Sequence, residues 1–198
     1  MKNFIGTITF IALIFSLYAQ DRKSSPAVVE KVSEIPFFIL STPDAEYEMV
    51  GKAVTAGNII GLAIDENSTV SEKAVKLVNK ALERVKKGKV PEFDAIIVDL
   101  YKEKSRAIKF KNGVSTKAKV KEIDNVPVYF FSKPLNPYEE VATLPADFSL
   151  RAERGLLLDK IESMINRTIK KAENGEIEKF DAVIISPDDL SLKTIRFK

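Results

Sequence analysis

The sequence predicts an α+β protein of two tandem ββαββ repeats that form an intramolecular pseudo-dimer, each helix packed on an antiparallel or mixed sheet. Three observations predict it. Apolar runs rich in β-branched and aromatic residues recur in pairs, an amphipathic helical pattern follows each pair, and a Gly and a Phe-Asp-Ala triplet follow each helix. The predicted repeats span 35–123 and 124–198.

The N-terminal segment, 1–19, has the features of a secretory signal peptide. Lys2 gives a basic start, 4–17 is almost wholly apolar, and Ala19 is a small residue at a plausible cleavage site. The apolar run is shorter than the ~20 residues that a spanning helix needs, which disfavours the alternative of an uncleaved membrane anchor. We expect a flexible lead-in over 20–34.

The first repeat begins with a continuous apolar run, 35–41, which suits a strand buried on both faces. A second strand is expected to begin at Tyr47. Thr69 and Glu72 have capping-box spacing, and the apolar residues after them recur at steps of three and four. A helix is therefore predicted from this point to a left-handed stop at Gly88.

The second repeat carries the same landmarks in the same order, including Tyr138, an amphipathic pattern from Leu157 and a stop at Gly175. The closing strands of the two repeats are expected at 93–100, 106–111, 180–185 and 193–198. Asn112-Gly113 is a strong two-residue hairpin signal. It predicts an extra strand within 114–120, before a linker near Asp124-Asn125.

The composition excludes large classes of chemistry. The chain has no Cys, no His and no Trp. It therefore has no thiolate nucleophile, no imidazole base, no disulfide, no lipobox cysteine and no histidine-ligated metal. We expect no cofactor and no metal. Without Lys2 the mature chain has 30 basic and 28 acidic residues, a balance that does not indicate nucleic acid or an acidic membrane surface.

One stretch of the first repeat resembles the YbjQ-like bacterial family, often described as a putative heavy-metal-binding domain. The resemblance is carried by Thr42-Pro43, by 47–61 with its Val-Thr-Ala-Gly sequence, and by 93–98 after a charged helix. It implies a small α+β domain that forms rings of subunits and has no established enzymatic activity. The lack of Cys and His gives the metal-binding description no support.

Three residue types recur at matching places and are candidate ligand-binding residues. They are Tyr47, Glu48 and Asp94 in the first repeat, and Tyr138, Glu139 and Asp181 in the second. A phenol and a carboxylate at a strand start can bind a ligand or a hard cation. The structural alternative is a Tyr ring packed on the sheet, a solvated rim Glu and an Asp that caps a turn.

The leading interpretation is a secreted or periplasmic, non-enzymatic binding or assembly module, whose partner is another protein or further copies of itself. A carboxylate hydrolase is the enzymatic alternative, with Glu48 and Asp94, or Glu139 and Asp181, in one cleft. A Ca²⁺-dependent module is a third, since Asp188-Asp189 and 65–67 are acidic loops. The lysines of 102–121 either touch an anionic surface or guard an edge strand.

Overall fold

A computed structural model describes residues 25–53, 68–102, 104–145 and 157–198. The predicted signal peptide, 1–19, lies outside the described residues. Within them, strands make up 43% of the residues and form three sheets, and there are two helices. The part of the chain that is described is therefore mostly β.

We divide the described residues into two halves at residue 112. The first half contributes seven strands and one helix, which are β1 (Pro26–Val29), β2 (Lys31–Val32), β3 (Ile35–Ile39), β4 (Ser41–Pro43), β5 (Tyr47–Lys52), α1 (Val70–Lys86), β6 (Ala95–Asp99) and β7 (Lys104–Phe110). The second half contributes β8 (Lys117–Val120), β9 (Glu122–Ile123), β10 (Val126–Phe130), β11 (Ser132–Pro134), β12 (Tyr138–Leu144), α2 (Leu157–Glu173), β13 (Ala182–Ile185) and β14 (Leu192–Phe197).

Two five-stranded sheets have matching strand orders. One runs β2-β3-β6-β7-β5 and the other β9-β10-β13-β14-β12. In each, the second and third strands are parallel, β3 with β6 and β10 with β13, and the other pairs are antiparallel. The helix lies in the long crossover that a parallel pair requires.

The third sheet joins the two halves of the chain. Its order is β11-β1-β8-β4, so each half supplies one inner and one outer strand. Ala27 of β1 lies opposite Ala118 of β8, and their outer neighbours are Pro134 and Pro43. This register gives the sheet an approximate two-fold axis between the two alanines.

The predicted fold, two ββαββ repeats with each helix packed on its own sheet, is wrong. It has no counterpart for the four-stranded sheet, which is assembled from short strands of both halves. The prediction missed β1 because 20–34 was expected to be a flexible lead-in, whereas Pro26–Val29 pairs on both sides. Four-residue strands carry too little pattern to reveal a distant partner.

Two-residue turns explain why β2 and β9 fold back on the strands after them. Ser33 and Glu34 have φ of 49° and 64°, and Asp124 and Asn125 have φ of 50° and 63°. Positive φ at both central residues is the mark of a type I′ turn, whose twist matches a hairpin. The expected linker near Asp124-Asn125 is therefore a hairpin turn.

The helix boundaries follow the expected local chemistry. Thr69 Oγ1 accepts a hydrogen bond from the Glu72 amide at 3.1 Å, and Glu72 Oε2 accepts one from the Thr69 amide at 3.1 Å. The glycines after the helices, Gly88 and Gly175, have φ of 64° and 75°. The capping box and the left-handed stops were both predicted from sequence.

The inner strands of the five-stranded sheets are buried on both faces, as the apolar run from Ile35 predicts. Along β3, Phe37 and Ile39 belong to a large apolar cluster that includes side chains of both helices. Phe38 points the other way and packs in a second cluster with Ala27 and Ala118 of the four-stranded sheet. The four-stranded sheet thus covers the faces that the helices leave open.

Backbone hydrogen bonds cross between the halves beside this second cluster. The Glu30 amide donates to Phe131 O at 2.8 Å, and the Lys121 amide donates to Leu40 O at 2.8 Å. Leu40 and Phe131 both have positive φ, 49° and 52°. The Phe131 ring also meets the Phe37 ring edge-on, with 5.2 Å between centroids. The two halves therefore share backbone pairing as well as side-chain packing.

Candidate functional site

Asp94 and Tyr47, two of the predicted site residues, lie at the same end of the first five-stranded sheet. Asp94 Oδ2 accepts a hydrogen bond from the Phe110 amide at 2.8 Å, and the Asp94 amide donates to Ile108 O at 2.8 Å. Tyr47 is the cross-strand partner of Phe110. The carboxylate therefore fastens the end of β7 to the start of β6, as a turn-capping Asp does.

The second half repeats this arrangement. Asp181 Oδ2 accepts from the Phe197 amide at 2.9 Å, and the Asp181 amide donates to Ile195 O at 2.8 Å. Tyr138 is the cross-strand partner of Phe197. The ring of Tyr138, like that of Tyr47, packs partly buried against the second apolar cluster. The recurrence of these residues is thus explained by strand closure and packing.

The two predicted glutamates are exposed on edge strands. Glu48 lies opposite Lys109 in the β5–β7 register. Glu139 lies opposite Arg196, with 3.6 Å between carboxylate and guanidinium, and Arg196 also contacts Glu178 at 3.2 Å. Such exposed ion pairs contribute little to stability. Glu48 and Glu139 are rim charges.

The described contacts give the four predicted acids places in the fold, and the two-carboxylate active site stays a prediction. A hydrolase needs two acids that face one cleft. Asp94 and Asp181 each accept a hydrogen bond from a backbone amide through one carboxylate oxygen, and Glu48 and Glu139 are exposed. Among the residues that the structure describes, no group of three or more acidic side chains could hold a metal ion.

The acidic loop at Asp188-Asp189 is a hydrogen-bonded turn. Asp189 Oδ1 accepts from the Ser191 amide at 2.9 Å, and this bond lowers the pKa of the Asp189 carboxyl. The Asp188 amide donates to Ser186 Oγ at 3.4 Å. The second predicted acidic loop, 65–67, lies outside the described residues.

A shallow cleft lies between α2 and the ends of β12 and β14. It is lined by Leu144, Pro145, Met164, Arg167, Thr168, Lys171 and Leu192. None of the six predicted site residues is among them. Lys171 is already paired with Glu176 at 3.3 Å, and Thr168 Oγ1 donates to Met164 O at 2.9 Å.

The outer face of the four-stranded sheet carries a group of lysines. We call this surface, made by Pro26, Val28, Thr42, Lys117, Lys119 and Lys133, the lysine face. The lysines of β8 were expected to guard an edge strand or to touch an anionic surface. Because β8 pairs with β1 on one side and β4 on the other, it is an inner strand with no edge to guard. Strand alternation alone would have placed Lys117 and Lys119 on one face.

Comparison with protein-family models, with curated proteins and with solved structures gives no match for this chain. The resemblance to the YbjQ-like family therefore stays a prediction. In the described ranges, neither helix combines the length and the apolar character needed to cross a membrane.

Proposed function

We propose that the protein is an exported, non-enzymatic binding module that engages its partner through a surface. The observation that carries this proposal is the use of Asp94 and Asp181 as strand-closing residues in both halves. Both aspartates of the two predicted acid pairs thus accept a backbone hydrogen bond that closes a strand end. The described residues present exposed sheet faces and helix surfaces that a partner can contact.

Features of the exposed edges favour a partner over open-ended self-association. The edge strands β5 and β12 have an irregular register, between Met49 and Gly51 and between Glu140 and Ala142. Glu48 and Glu140 add exposed charge. Bulges and charges on an edge strand oppose pairing with further copies.

Export to the periplasm or the extracellular space is part of the proposal. It rests on the basic start, the apolar run 4–17 and the small residue Ala19 of the predicted signal peptide. The mature chain for the experiments below is therefore taken as residues 20–198.

The function class is tested with chromogenic ester, glycoside and phosphoester substrates. We expect residues 20–198 to turn over none of them above the buffer blank. The double variants Glu48→Gln with Asp94→Asn, and Glu139→Gln with Asp181→Asn, test the two predicted acid pairs, and Glu92→Gln is the matched control. Turnover that a double variant loses and Glu92→Gln retains would contradict the proposal in favour of a hydrolase.

Self-association is tested by size-exclusion chromatography with light scattering on residues 20–198. We expect the mass of one chain at all concentrations. A mass that grows with protein concentration would favour assembly of like copies over binding of a separate partner.

A further inference from the structure

The lysine face carries three cationic side chains on one side of the four-stranded sheet. In the sheet register, Val28 lies between Lys133 and Lys117, and Pro26 lies opposite Lys119. Neighbouring strands are about 4.8 Å apart. Lys117 and Lys119 are therefore neighbours on one face of β8, and Lys133 lies two strands from Lys117, about 10 Å away across Val28.

The fold does not require lysine at these places. The approximate two-fold axis relates Lys117 to Pro26 and Lys119 to Val28, and it relates Lys133 to Thr42. The first half thus builds the same strands with uncharged residues. The strands therefore pair without lysine at these positions, and the three lysines of the second half are not needed for the pairing.

The lysines remain available to a partner. The side chains of Lys133 and Lys119 are 72% and 53% exposed, and each contacts one acid, Glu30 at 3.8 Å and Asp44 at 3.2 Å. Exposed pairs of this kind are weak and exchange readily with other anions. Lys117 is likewise exposed.

Apolar groups lie among the cations. Pro26 and Val28 occupy the same face, half-buried, and Leu135, which is 47% exposed, donates its amide to Pro26 O at 3.1 Å. Cationic side chains beside exposed apolar groups match the chemistry of a lipid headgroup region, where phosphates lie next to acyl chains.

The exposed apolar groups favour a membrane surface over a soluble anion, which would contact the ammonium groups alone.

We propose that the lysine face docks the exported protein onto the surface of an anionic phospholipid bilayer. This inference rests on the proposed function and names the partner that the binding module engages. The contact is peripheral: ammonium groups of Lys117, Lys119 and Lys133 meet lipid phosphates, and no segment inserts. Binding of this kind weakens as salt screens the charges.

The test is co-sedimentation of residues 20–198 with vesicles of phosphatidylcholine alone and of phosphatidylcholine mixed with phosphatidylglycerol. We expect binding to the mixed vesicles only, reversed by salt. The variant K117Q/K119Q/K133Q is expected to lower the partition coefficient on the order of 10- to 100-fold. The matched control K76Q/K86Q/K89Q, which removes three exposed lysines in and just after α1, is expected to bind as the unmodified chain does.

Three outcomes would overturn the inference. They are no binding to the mixed vesicles, equal binding to both vesicle types, and equal losses in the two triple variants. Immobilised polyglutamate is run in parallel. Retention on it through the lysine face, without vesicle binding, would point to an acidic protein and leave the binding module standing. Only the substrate assays above bear on whether the protein is an enzyme, so the two failures are distinguishable.

Discussion

Asp94 and Asp181 act as structural hydrogen-bond acceptors at the ends of β7 and β14. Each holds one backbone amide, that of Phe110 at 2.8 Å or that of Phe197 at 2.9 Å. A hydrogen bond from a backbone amide to a charged carboxylate is among the stronger hydrogen bonds in proteins. The half-buried Asp94 should therefore matter more than the exposed Asp181.

Asp94→Ala is expected to lower the free energy of unfolding by about 1–3 kcal/mol, because it leaves the Phe110 amide without its hydrogen-bond acceptor. Asp94→Asn keeps an acceptor oxygen and should cost less, and Asp181→Ala should also cost less. Urea denaturation followed by circular dichroism measures all three. Glu92→Ala, exposed and two residues away, is the control, with an expected change below about 0.5 kcal/mol. Equal stability of Asp94→Ala and this control would refute the structural role.

The Tyr129 hydroxyl is fully buried beside Ser25, and burial raises the pKa of Tyr129 to about 12. The unfolded chain ionises this phenol near its usual pKa of 10, before the folded chain does. Stability from Tyr129 is thus present below pH 10 and is lost as pH rises to about 12. The loss over that window should approach about 2 kcal/mol.

Tyr129→Phe provides the comparison, because it removes the ionisable group and keeps the ring. Unfolding free energies measured from pH 9 to 12 should fall less steeply for this variant. If the unfolding free energies of the unmodified chain and of Tyr129→Phe fall equally with pH, burial does not raise the pKa of Tyr129.

At the scale of elements, local patterns predicted well what local chemistry determines. The capping box at Thr69, the stop at Gly88 and the strand starts at Tyr47 and Tyr138 lie where the sequence placed them. The predicted site residues could be picked out by local pattern as well, because each residue type recurs at a strand end in both repeats. The hydrogen bonds of Asp94 and Asp181 give these two residues a role in the fold, and ligand binding by the six residues stays a prediction.

Pairing over long distances was not predictable in the same way. β1 and β8 are four-residue strands whose partners lie in the other half of the chain. The hint in the sequence was the likeness between 25–36 and 116–127, in which Ala27 and Val29 match Ala118 and Val120. The lysine face escaped prediction because Lys133 joins Lys117 and Lys119 only through the pairing of β1 with β8 and β11.

Removal of β1 tests its contribution. A chain shortened to 22–198 should match residues 20–198 in stability. A chain shortened to 31–198 loses the burial of Ala27 and Val29, leaves β11 without its partner in this sheet, and leaves β8 paired with β4 alone. These losses should cost roughly 3–5 kcal/mol and promote aggregation. Urea denaturation and light scattering report both effects. A stable, soluble 31–198 chain would show that β1 is dispensable.

At the scale of the whole molecule, the four-stranded sheet makes one body of two halves. It supplies inner strands from both, covers one face of each five-stranded sheet, and carries the lysine face on its other side. Neither half can form the second apolar cluster without the strands of the other, because residues of both halves make it. The account therefore predicts a single cooperative unit.

Native-state amide hydrogen exchange tests this claim most directly. The amides of Ala27 and Ala118, together with inner-strand amides of both five-stranded sheets, should exchange only through global unfolding and with one common free energy. Exchange of one half through a lower-energy opening, while the other half stays protected, would contradict the account, because it would mean that the shared sheet does not hold the two halves together.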